Sequence, residues 1–177
     1  MKVKIVNEGL KYGAICGILA LLLMFGSWSM GLSTFVSVQF IGAFVPYMIA
    51  ILLIAGFQLR KQNEGVLPFS EALKFSFLSY VIAAIITAIG TYILFNFIDK
   101  DLTVKTLQVS LEKTRAFMEK MGASQEDIQK AMAKQDPSKQ DTGFGRVLLG
   151  TGLGLIWDFV KALLITLVIR KEEKFDM

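Results

Sequence analysis

Residues 12–59 read YGAICGILALLLMFGSWSMGLSTFVSVQFIGAFVPYMIAILLIAGFQL. These 48 residues contain no Asp, Glu, Lys or Arg. A water-soluble domain has no place for an uncharged run of that length, whereas a helix crossing a bilayer needs about 20 mostly apolar residues. The run is long enough for two such helices. The small and polar residues at 33–39 predict a turn, giving a first span at 12–32 and a second at 40–59. Pro46 predicts a kink in the second, because proline cannot complete the helical bonding.

Two further runs have the same character, 75–98 and 147–169. Each is far longer than the 9–11 residues of a barrel strand, and none alternates polar with apolar, so helices are expected. The fold class is therefore an all-α integral membrane protein, one domain over residues 1–177 with four transmembrane helices. The whole composition agrees: 54% of residues are hydrophobic, more than an ordinary soluble domain carries. Mean hydropathy is +0.55. The absence of His removes the usual catalytic base, and the single Cys16 rules out Cys-based zinc clusters and an intrachain disulfide.

The basic residues Lys2, Lys4 and Lys11 ahead of the first span, with the small residues around Ser27 and Ser29, imitate a secretory signal. The apolar stretch is too long for a signal core, however. Gly9, Gly13 and Gly17 recur every fourth residue, a packing stripe that a discarded peptide would not need. A retained helix is expected. Orientation follows from Lys and Arg next to the spans. They gather at the head, at Arg60, Lys61 and Lys74 between spans two and three, and at Arg170, Lys171 and Lys174 in the tail. Both termini are thus expected in the cytoplasm, with the loop 99–146 outside.

Residues 99–142 form the main polar segment. Val104, Leu107, Leu111, Thr114, Met118 and Met121 recur at alternating steps of three and four, one face of a helix. Gly122 suits its end, and Ser124 suits the N-cap of a second helix carrying Glu126 and Asp127 in its first turn. Glu126 and Lys130 are spaced to pair, and Asp136-Pro137-Ser138 should end this helix. An extracytoplasmic helical hairpin between spans three and four is expected. Its apolar face could pack on its own partner helix or the membrane domain, receive a protein, or lie on the lipid surface. Nothing resembles a nucleic-acid patch, and the basic flanks account for the net charge of +4.

Only the fourth span carries charge, Asp158 and Lys161. Three residues apart, they share a helix face with Gly150 and Gly154, which precede Asp158 at intervals of four. The small residues predict close approach to another helix. A lone charge at the bilayer centre costs about 2.5–3.5 kcal/mol on insertion scales, which pairing offsets in part. Two readings stay open: a buried ion pair that fixes helix register, or a relay or substrate contact. Ser76, Ser79, Tyr80, Thr87 and Thr91 of span three could hydrogen-bond Asp158, although helical Ser and Thr more commonly bond their own backbone. Cys16 reads as a small apolar side chain.

Several segments resemble a known family: Tyr12-Gly13-Ala14-Ile15-Cys16-Gly17, Pro68-Phe69-Ser70-Glu71-Ala72-Leu73-Lys74, Phe97-Ile98-Asp99, Ser124-Gln125-Glu126-Asp127-Ile128 and Ile169-Arg170-Lys171-Glu172-Glu173. In order and spacing they are similar to the bacterial domain-of-unknown-function 4199 family of small four-helix membrane proteins, over nearly the whole chain. The resemblance implies the four-span topology with a helical insertion, and no established activity.

No HExxH, no Gly-flanked nucleophilic Ser and no paired acids within a span occur. An enzyme is not expected, nor a cofactor or metal. The expected role is a non-catalytic accessory or scaffold protein that contacts the lipid bilayer and either a protein partner or further copies of itself. The alternative is a small oligomeric transporter or permease subunit using Asp158 and Lys161.

Overall fold

A computed structural model describes residues 4–42, 46–133 and 143–172. The described residues form helices α1 (Ile5–Ser29), α2 (Leu32–Gly42), α3 (Tyr47–Gln62), α4 (Phe69–Ile93), α5 (Leu102–Lys120), α6 (Gln125–Ala133) and α7 (Phe144–Ile169). α4 continues into a π-helical turn, Leu94–Ile98, closed by the Asp99 N–H donating to the Leu94 carbonyl at 2.9 Å. Among the described residues there is no strand, only one antiparallel bridge between Leu67 and Lys171.

Among the described residues three helices are long and apolar enough to cross a membrane: Ile5–Ser29, Phe69–Ile98 and Phe144–Ile169. At 1.5 Å per residue, α1 with its 25 residues is about 37 Å long, more than the hydrocarbon core requires. The three helices differ from the expected spans mainly at their ends. α1 begins seven residues before Tyr12, and α4 begins six residues before Phe75.

The expected second span is corrected. Residues 40–59 are not one kinked helix, because Pro46 stands outside helix at the N-cap of α3. Proline has no N–H to donate and is tolerated where a helix starts, so the chain begins a new helix there. α3 has 16 residues, about 24 Å, short of a full crossing. The expected turn at 33–39 is also corrected, since these residues lie inside α2. Gly31, at φ 105°, makes the turn instead. The hydroxyl of Ser37 donates to the Ser33 carbonyl at 2.7 Å and that of Thr34 to Met30 at 3.5 Å, so these polar side chains satisfy themselves within the helix. Phe35, between them, is buried with Met24, Leu94 and Leu102.

α1 and α4 run side by side in the same direction. Gly9 faces Leu78, Gly13 faces Ser79 and Ile82, and Gly17 faces Ile86. Further along, the glycine changes helix: Gly90 of α4 receives Leu21 and Met24 of α1. α7 runs antiparallel to α4, with Phe159 on Phe77 and Phe144 on Tyr92. α3 runs beside α7, Gly56 admitting Ile169. The start of α1, the α3–α4 loop and the end of α7 therefore meet at one end of the molecule, here the head end. The far end holds the α1–α2 turn, the end of α4 and the start of α7.

The head end is tied by several bonds. Leu67 and Lys171 exchange both backbone hydrogen bonds at 2.8 Å. The Phe69 N–H, an orphan donor at the start of α4, donates to the Glu172 carboxylate at 3.0 Å. Arg60 donates to the Ile169 carbonyl at 3.3 Å. A core of Leu52, Ala55, Leu59, Phe75, Ala162 and Ile165 fills the space beneath.

At the far end α5 packs on α2, where the Lys113 ammonium donates to the Ser33 carbonyl at 3.2 Å and to the Ser37 hydroxyl. α5 and α6 contact each other. Gly122 at φ 76° ends α5, with the Ala123 N–H donating back to Met118 at 3.0 Å. Ser124 caps α6, accepting from the Asp127 N–H at 3.2 Å, and Lys130 pairs with Glu126 at 2.6 Å. Leu107 is buried, and Leu111, Thr114 and Met118 are partly covered, whereas Val104 and Met121 are exposed. Residues 136–138, expected to end α6, lie outside the described residues.

Candidate functional site

Asp158 and Lys161 are joined as the sequence spacing requires. One turn of α7 separates them, and the Lys161 ammonium lies 2.5 Å from Asp158 Oδ1. The two differ in surroundings. The Asp158 side chain keeps 18% of its exposure and that of Lys161 keeps 40%. Lys161 also sits 5.1 Å from the centre of the Tyr80 ring, a second favourable seat for its charge.

None of the span-three hydroxyls hydrogen-bonds Asp158. Ser79 is shared between the Phe75 carbonyl at 2.8 Å and the Gly9 carbonyl of α1 at 3.1 Å, so it stitches α4 to α1. Thr91 donates to the Met24 sulfur at 3.6 Å. Ser76 and Tyr80 are both buried, and neither hydroxyl has a partner in the structure. Tyr80 belongs to one buried core with Cys16, Leu52 and Ala162, so side chains from α1, α3, α4 and α7 converge here.

Gly9, Gly13 and Gly17 lie in the α1–α4 contact. Gly150 and Gly154 differ from expectation: a Cβ on either would meet nothing within 4 Å. The cause is the course of α7. Its buried residues Ala162, Ile165, Thr166 and Ile169 all belong to its last third. Between the Tyr92–Phe144 contact at the far end and the Phe77–Phe159 contact nearer the head, a groove of about 380 Å³ opens between α4 and α7. Thr87 and Thr91 of α4 face Gly150, Thr151 and Gly154 of α7 across it, and Asp158 closes its foot. A smaller cavity of about 270 Å³ lies on the other side of α4, bordered by Tyr47, Gln39, Thr87 and Thr91. Among the described residues no three metal-ligating side chains come together.

Sequence reasoning missed Gly56 and Gly90, which admit Ile169 and Leu21. Each is a lone glycine within an apolar helix, without the four-residue repeat that revealed the stripe in α1. It also missed the cluster at the far end of α1. There the Asp99 carboxylate accepts from the Lys105 ammonium at 3.0 Å and from the Trp28 indole N–H at 3.4 Å. The Lys105 hydrogen bond, with a smaller contribution from Trp28, holds the Asp99 carboxyl below the usual carboxylate range, against a smaller opposing effect of burial.

Residues 11–171 match the family model described as Protein of unknown function (DUF4199). The chain belongs to that family. The match takes in most of this DUF4199 protein, including Gly13, Gly17 and the whole of α2–α7 with Asp158 and Lys161. No curated protein and no solved structure matches it.

Proposed function

We propose that this DUF4199 protein is a non-catalytic accessory protein of the bacterial cytoplasmic membrane that holds a protein partner through the surface of α5. In this reading α2 and α3 together supply a fourth crossing, the head end is cytoplasmic, and α5 with α6 forms a hairpin outside. The basic residues Arg60, Lys61, Arg170 and Lys171 at the head end support that orientation. One observation carries the role. Phe117 and Met121, one turn apart at the end of α5, are 63% and 72% exposed. Large apolar side chains standing together on a polar helix mark a protein contact. A pull-down from native membranes with a tag on the C-terminus tests it. A specific partner should be recovered, and Phe117→Ser with Met121→Ser should lose it at unchanged folded yield.

A second reading, a small oligomeric transporter subunit, is favoured by the groove that ends on Asp158. Solute flux in liposomes that disappears with Asp158→Asn, with no partner in the pull-down, would replace the accessory role by this one.

A further inference from the structure

We propose that the groove between α4 and α7 is a binding site for a small organic cation, an ammonium on an apolar body, which docks on Asp158 in place of Lys161. Such binding requires neither the partner nor transport.

The groove has the make-up of a small-molecule site. Its volume of about 380 Å³ falls in the usual range for ligand pockets. Its walls are small and apolar, Ala84 and Ala88 on one side and Gly150 and Gly154 on the other, with hydroxyls at Thr87, Thr91 and Thr151. The Thr151 hydroxyl is spent on the Val147 carbonyl at 2.8 Å, and that of Thr91 on Met24. Polar recognition therefore falls to Thr87 and above all to Asp158, the one charged side chain on the lining. A carboxylate selects for a cation and against an anion.

The ion pair makes the exchange feasible. Burying a lone cation beside apolar walls is costly, as is stripping a carboxylate of its partner. Replacing one ammonium by another avoids both, because Asp158 stays neutralised throughout. Lys161 has somewhere to go. It is not part of the groove lining, it lies one turn nearer the head end, its side chain is 40% exposed, and the Tyr80 ring already holds its charge from another side. Access is sideways, since the α4–α7 contact is closed by Ala162, Ile165 and Ile169 beyond Lys161 and by Tyr92 with Phe144 at the far end.

The test is equilibrium binding of radiolabelled phenethylamine to the full-length protein in phosphatidylcholine nanodiscs, with empty nanodiscs subtracted. Saturable binding is expected, competed poorly by the neutral phenethyl alcohol and not by phenylacetate. Asp158→Asn should weaken binding about tenfold or more, as loss of a charge-assisted contact commonly does. Gly154→Leu should abolish it by filling the groove while Asp158 and the fold are kept, because nothing lies within 4 Å of that position. Absence of saturable binding overturns the proposal. So does equal binding of amine and alcohol, or of wild type and Asp158→Asn, which would make the groove a lipid-chain slot. If Gly154→Leu instead dissociates a dimer and leaves binding unchanged, the groove belongs to a second copy of α7. A failed pull-down overturns the accessory role and leaves this site standing.

Discussion

A methyl added at Gly13 would lie 2.7 Å from the Ser79 carbonyl oxygen and 2.8 Å from Cβ of Ile82. The first neighbour is backbone and cannot swing aside, so α1 must move away from α4. Gly13→Ala should lower stability by about 1–3 kcal/mol, the usual range for overpacking, with a matching drop in the thermal midpoint of the detergent-purified protein. Gly150→Ala, facing open space, should leave that midpoint nearly unchanged. The ion pair is asymmetric in a similar way. Asp158→Asn leaves Lys161, which is partly exposed and rests on Tyr80, so folded yield in the membrane should fall less than in the reverse case. Lys161→Met strands a largely buried carboxylate and should cost up to about 3 kcal/mol, read as a larger loss of folded yield. Equal losses from both would show that Lys161 depends on its partner as much as Asp158 does. The pair itself was legible in the sequence because spacing along one helix fixes it. The opening beside Gly150 and Gly154 was not, because spacing does not say whether a neighbouring helix follows the face it could accept.

Among the elements, the end of α5 and the start of α6 were the most legible, being specified by Gly122 and Ser124. The break before α3 was the least. Pro46 announces a discontinuity, but whether a helix bends there or starts anew depends on packing that lies elsewhere, here Phe35 of α2 against Met24 and Leu94. The Asp99 cluster joins the end of α1 to the start of α5 and predicts a response to pH. A carboxylate whose folded pKa lies below its unfolded value contributes stability that is present above about 4 and is lost as pH falls through the folded pKa. In a Trp157→Phe background, Trp28 emission should hold steady from neutral pH down to about pH 4 and change only below it. Asp99→Asn should remove that transition. At the other end, Glu172→Ala leaves the Phe69 N–H without its acceptor. It should cost about 1 kcal/mol in the thermal midpoint, as loss of an N-cap does.

At the scale of the whole molecule, the proposed fourfold crossing and its proposed orientation make one accessible prediction. In a Cys16→Ser background, Ser124→Cys should react with a membrane-impermeant maleimide in intact cells, and Asn63→Cys only after permeabilisation. The reverse pattern would invert the molecule, and labelling of both in intact cells would show that α2 and α3 do not complete a crossing. The sequence predicted the three segments that form long apolar helices, because hydropathy is a local property, but not that the expected second span would break at Pro46. It did not predict that the halves differ. Near the head the helices are packed and tied by the Leu67–Lys171 bridge, and farther along a groove opens between α4 and α7 before they meet again at Tyr92 and Phe144.

The parallel contact of α1 with α4 also bears on how the protein is made. A helix and its immediate successor in the membrane run in opposite directions, so α1 cannot find its glycine-matched neighbour in the next segment to leave the ribosome. From Ser29 to Phe69 lie 39 residues, and Gly90 is further still, which at roughly 5–20 residues per second means several seconds of translation. During that interval Gly9, Gly13 and Gly17 face lipid or the insertion machinery. The first helix is thus a waiting subunit of its own chain, and the lesion in Gly13→Ala should strike at the moment when α4 arrives, after α1 has already been inserted.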